Sequence, residues 1–139
     1  MTLVPGLFGP AAVVVALLQA APSPRTVDRG VQSFVYSARQ VTVRDGAEWE
    51  ALWREHAPGR PLPAVDFARE MVVGVFLGSR PTGGYVVEIV STGGEQGALV
   101  IRYRETRPAP DRITAQVLTF PYHLVAVPQQ SGMVRFEKV

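Results

Sequence analysis

The sequence predicts an α+β fold, a mainly antiparallel sheet of six to seven strands, open or partly closed into a barrel, with one packed helix. Three observations lead there. Runs of β-branched and aromatic residues separated by Gly and Pro recur from residue 31 to the end. One stretch has helical spacing. Most connections are short enough for hairpins. The chain has 139 residues, 47% hydrophobic and 19% charged, so it is long enough for one compact domain and too apolar for a disordered polymer.

The first 21 residues carry no charged side chain. Ala11 to Leu18 has the apolarity of a signal-peptide core, and Ala20-Ala21 precede Pro22 as small residues would precede a cleavage site. A signal peptide is therefore expected over 1–21, although no basic residue precedes the core. An uncleaved anchor is the alternative, since Leu3 to Ala21 approaches the ~20 residues a spanning helix needs. Pro5, Gly6, Gly9, Pro10 and Gln19 weigh against it. Residues 22–30 then read as an N-terminal tail, and 31–139 as a single domain.

Val31 to Val43 reads as one long strand or two short ones. Asp45 stands at an N-cap position with Glu48 three residues on, so a helix should start there. Trp49, Leu52, Trp53 and His56 form its apolar stripe and Pro58-Gly59 end it. Arg60 to Asp66 is a proline-rich connector. Met71 to Gly78 is nearly all apolar and suits a central strand covered on both faces. Tyr85 to Thr92 and Ala98 to Glu105 flank a glycine-rich turn at 93–97 and predict a hairpin. Arg107 to Asp111 is a rigid loop. Ile113 to Thr119, His123 to Val127 and Met133 to Glu137 complete the strands, with Pro121 breaking the run.

Composition excludes several chemistries. Without cysteine there are no disulfides, thiolate metal sites or cysteine nucleophiles. Two histidines, His56 and His123, are too few for the usual metal centre, and neither metal nor cofactor is expected. The net charge of +2 comes from scattered arginines lying near acids, which argues against nucleic acid as a partner. There is no Gly-x-Ser-x-Gly elbow and no Ser-x-x-Lys, and the paired glycines lead into strands where a phosphate loop would open a helix. His123 is the best handle for a small hydrolase, the least favoured reading.

Three loops stand out as a binding surface. Arg80-Pro81-Thr82-Gly83-Gly84-Tyr85 combines a fixed φ, a flexible glycine pair and an aromatic ring with a polar tip. Arg107-Pro108-Ala109-Pro110 is rigid and basic. Phe120-Pro121-Tyr122-His123 interrupts a strand and would aim rings outward. Their composition suits recognition of a protein partner better than catalysis.

The segments Val65-Asp66-Phe67, Glu70 to Gly78, Arg80 to Tyr85 and Thr119 to Val125 resemble the C-terminal domain of the PrcB family, over roughly Trp49 to Phe136. Pro81-Thr82-Gly83-Gly84-Tyr85 and Pro121-Tyr122-His123 are the specific part. The resemblance implies an exported, non-catalytic module that contacts or stabilises an extracytoplasmic protease, as a monomer or weak oligomer. Lipoprotein members have a lipobox cysteine that this sequence lacks. The 80–85 loop is more loosely similar to the Asn-Pro-Thr-Thr-Gly-Tyr loop of chagasin-like protease inhibitors, with Arg80 and Gly83 replacing its Asn and second Thr. Protease inhibition is the alternative function.

Overall fold

The computed structural model describes residues 22–139; the leader expected over 1–21 lies outside them. The elements are β1 (Arg25–Gly30), β2 (Ala38–Val43), α1 (Gly46–His56), β3 (Glu70–Leu77), β4 (Val86–Glu95), β5 (Ala98–Thr106), β6 (Tyr122–Pro128) and β7 (Met133–Lys138). The strands make two sheets. One is antiparallel with order β1-β6-β3-β2; the other has order β4-β5-β7, with β5 and β7 parallel.

The single sheet or partly closed barrel expected from sequence is thus corrected to two sheets without barrel closure, the helix on the outer face of the larger one. The cause is visible in β3, buried along its whole length. Val72 and Phe76 pack with Trp49, Leu52 and Trp53 of α1, while Met71, Val73, Val75 and Leu77 pack against Val87, Ile89 and Ile101 of the second sheet. Alternating side chains need a cover on each face, and helix and second sheet provide them. At Gly74 an added Cβ would lie 2.3 Å from Leu124 Cδ2, so glycine is what lets β6 pack close.

Three segments differ from expectation. Residues 22–30, read as a tail, contain β1, which pairs with β6 through five residue pairs and a bulge between Thr26 and Asp28. Within 31–43 only Ala38–Val43 is a strand. Residues 113–119 form no strand and belong to a connector running from β5 to β6. The helix begins as expected: Asp45 caps it by accepting from the Glu48 backbone N–H at 2.8 Å. The β4–β5 ladder continues to Glu95↔Ala98, leaving Gln96 and Gly97 as the turn. Both have positive φ, 50° and 81°, as a two-residue type I′ turn requires.

Candidate interaction surface

The surface is built from the loop after β3, the connector before β6 and the segment before β2. In that last segment Ser33 and Val35 point inward at 2% and 1% exposure, which leaves Phe34 and Tyr36 outward at 55% and 60%. Backbone bonds hold it: Ser33 N–H donates to Phe120 O, Phe120 N–H to Val31 O, and Phe34 N–H to His56 O at the end of α1. The Tyr36 ring centroid lies 4.7 Å from that of Phe120 and 6.2 Å from that of Phe34. Leu118, also exposed, is two residues from Phe120 in the connector. Three aromatic rings are thus presented together.

The 80–85 loop lies beside them, joined through the connector. The backbones of Arg80 and Thr119 exchange two bonds, at 2.8 and 2.9 Å, and the Thr119 hydroxyl donates to Thr82 O. Gly83 N–H donates to Ala115 O at 2.9 Å. Gly84 has φ +92°, and a Cβ there would lie 2.8 Å from Pro108 Cβ. The Arg80 guanidinium grips Glu105 with two bonds of 2.6 and 3.0 Å and also donates to Leu77 O and Ser79 O. Hydrogen bonding from Arg80, overcoming burial, and then Lys138 hold the Glu105 carboxyl down at about 2. The loop is therefore rigid, with Pro81 exposed and Tyr85 half-buried.

Of the residues chosen from sequence, Arg80, Pro81, Thr82, Gly83, Gly84 and Tyr85 are brought together with Pro108. Arg107 is exposed at the start of the connector. Pro121, Tyr122 and His123 need correction as binding residues, because all three are buried. The Tyr122 hydroxyl donates to Asp28 Oδ2 at 2.9 Å. His123 Nδ1 accepts from Ile89 N–H at 2.9 Å, and its other nitrogen lies 2.8 Å from the Thr26 hydroxyl. These side chains hold the layers together instead of projecting from them. Sequence reading missed Phe34 and Tyr36, whose alternation with Ser33 and Val35 was the available signal; the apolar Val35 on the opposite face hid it.

A second arrangement calls for chemical scrutiny. Ser33 Oγ lies 2.7 Å from His56 Nδ1, and His56 Nε2 lies 3.0 Å from Asp28 Oδ2, the order of a serine–histidine–aspartate relay. Burial decides against a nucleophile. Ser33 and His56 are 2% and 1% exposed, and Ser33 Oγ also accepts the Val35 N–H, so no acyl group can reach it. Donor counting assigns a neutral imidazole, with the serine O–H donating to Nδ1 and Nε2–H donating to the carboxylate. Burial lowers the His56 pKa despite the neighbouring Asp28. Burial works to raise the Asp28 pKa, but bonds from Arg60, His56 and Tyr122 bring it below the ordinary value. Among the described residues no cluster of three or more His, Asp or Glu side chains is arranged to hold a metal.

Together these features define a small three-layer domain of one helix and two sheets that presents a group of aromatic rings beside a rigid loop. Residues 71–128, from β3 to the end of β6, match the family model described as PrcB C-terminal. The match covers the two specific motifs, Pro81 to Tyr85 and Pro121 to His123, but not α1 or β7. No curated protein and no solved structure matches the chain.

Proposed function

We propose that this chain is an exported, non-catalytic protein-interaction domain whose contact surface is centred on Phe34, Tyr36 and Phe120 and bordered by the 80–85 loop. The exposed aromatic group carries this reading. Aromatic rings dominate the energetics of protein interfaces, and here they sit on a backbone already fixed by hydrogen bonds, so little ordering cost opposes binding. The PrcB C-terminal match favours a partner in an extracytoplasmic protease complex. Among the described residues no helix is long and apolar enough to cross a membrane.

Photo-crosslinking from position 36, in the compartment where the chain resides, tests the proposal. One defined adduct should form, and it should disappear when Phe34→Ser is added in a variant that retains its thermal transition. Absence of any adduct, or an adduct indifferent to Phe34→Ser, overturns it. The inhibitor reading draws support from the rigid loop at 80–85, with Pro81 at its exposed edge. Titration of papain-like and subtilisin-like proteases with micromolar protein separates the two: unslowed proteolysis removes inhibition and leaves the interaction domain standing.

A further inference from the structure

We propose that the open cleft between β2 and the ends of β5 and β7 receives the carboxylate of an acidic partner peptide. The cleft encloses about 380 Å³ and is lined by residues of β2, β3, β5 and β7 together with Arg80. Val75 and Leu77 form its floor, Ala38 and Gln40 one wall, and Tyr103, Arg80 and Lys138 the other. A volume of this size accommodates a single side chain.

Charge sets the chemistry of the occupant. The charged residues lining the cleft are Arg39, Arg80 and Lys138, and the last two share the Glu105 carboxylate behind them. Glu105 is 5% exposed and lies beneath its partners, while the Lys138 side chain is 52% exposed. Two cations against one carboxylate leave a single positive charge uncompensated, directed outward. Arg39 also lines the cleft but does not alter that balance, because its charge is matched by Glu55 of α1, with its guanidinium over Phe76. One monoanion restores neutrality; a doubly charged phosphate would exceed it.

Hydrogen bonding points the same way. Tyr103 accepts from Gln40 Nε2 at 3.2 Å, and among the described residues no acceptor takes its hydroxyl proton. Lys138 uses one of its three N–H groups, on Glu105. A hydroxyl and an ammonium beside one apolar floor offer two donors to the two oxygens of a carboxylate. The edge of β2 is also open: β1 and β4 carry bulges, whereas β2 is regular over its six residues and, among the described residues, no strand lies beyond it. An extended peptide can therefore approach along it.

The test is amide NMR on the full chain, titrated with the peptide Ac-Gly-Val-Glu-Val-Gly-amide and with its Gln counterpart. The Glu peptide should shift Gln40, Tyr103 and Lys138 saturably, with a Kd no tighter than the order of 1 mM, since a partly exposed charge pair adds about fivefold in affinity (about 1 kcal/mol) to the backbone and apolar contacts. The Gln peptide should bind at least about fivefold more weakly, and Lys138→Gln should weaken the Glu peptide to the same degree. Tyr103→Phe should cost about threefold. Arg135→Gln removes the same charge from the same strand and should cost less than about twofold. A Gln peptide with a free C-terminal carboxylate distinguishes a chain end from a side chain as the source; binding by either supports the site. Equal binding of the two amidated peptides, or equal loss in Lys138→Gln and Arg135→Gln, overturns the proposal. Phe34→Ser should leave the titration unchanged, which keeps its outcome separate from that of the aromatic surface.

Discussion

Asp28 answers four donors with one carboxylate: the Arg60 guanidinium, the His56 Nε2–H, the Tyr122 hydroxyl and the Arg29 backbone N–H. Two of those donors are on buried residues, so removing the acceptor strands them. Asp28→Ala should destabilise the fold by about 3 kcal/mol, since an unpaired buried polar group costs ~1–3 kcal/mol and a charged partner adds to it. A urea midpoint unchanged within error would show that water replaces the carboxylate. Gly74→Ala acts by crowding alone. Its new methyl would meet Leu124 and Val41, and overpacking of this kind costs ~1–3 kcal/mol. Neither residue announced its role in the sequence. Asp28 lay in what read as a tail, and its side-chain partners come from α1, the connector after it and β6, far apart in the chain.

Elements whose causes are local were legible. Asp45 and Glu48 marked the start of α1, and the structure adds one detail: the Glu48 carboxylate accepts from Arg44 N–H, one residue before the cap. Asp45→Ala should lower stability by about 1 kcal/mol, readable as a shift in the thermal midpoint with the helical circular dichroism signal preserved below it. The unbroken apolarity of β3 predicted two covers, and its burial on both faces bears that out. The hairpin was legible from its glycines. By contrast, β1 carries Thr26, Asp28 and Arg29 because it is an edge strand with little to bury, so its composition matched a tail. Residues 113–119 have strand composition yet remain a connector, with Ile113 98% exposed. Their hydrogen bonds go to the 80–85 loop, and no local pattern encodes that choice. The 80–85 and 107–110 loops were singled out by composition alone, and in space Gly84 lies against Pro108. Placement of Tyr122 and His123 on the surface failed because Pro121 only precedes β6 and does not interrupt it.

At the scale of the molecule, a chain without cysteine must hold three layers together through packing and buried polar links, and the histidines are two of those links. His123 ties β4 of the small sheet to β1 of the large one, at the bulge between Ile89 and Ser91. His56 ties α1 to Asp28 on β1. Both work as neutral rings. Burial, and then the charge of Arg29, lowers His123 from 6.5 to about 4, and burial lowers His56 in the same direction. Below pH 6.5 the unfolded chain therefore binds protons that the folded chain refuses, so unfolding gains as pH falls. The histidine contribution is complete above pH 6.5 and drains away between 6.5 and about 4. For His123 alone it amounts to about 3 kcal/mol at most, at 1.36 kcal/mol per pKa unit. A second loss should follow at lower pH as the Glu105 carboxylate, held from 4.5 down to about 2, becomes protonated and releases Arg80. Thermal midpoints measured from pH 8 to pH 3 should fall first through the histidine window and then more steeply. His123→Gln retains an acceptor for Ile89 N–H and a donor for Thr26 but cannot take up the proton. It should flatten the upper part of that profile while leaving the lower part in place; a variant that kept the full slope between pH 6.5 and 4 would mean that His123 is not the group that titrates there.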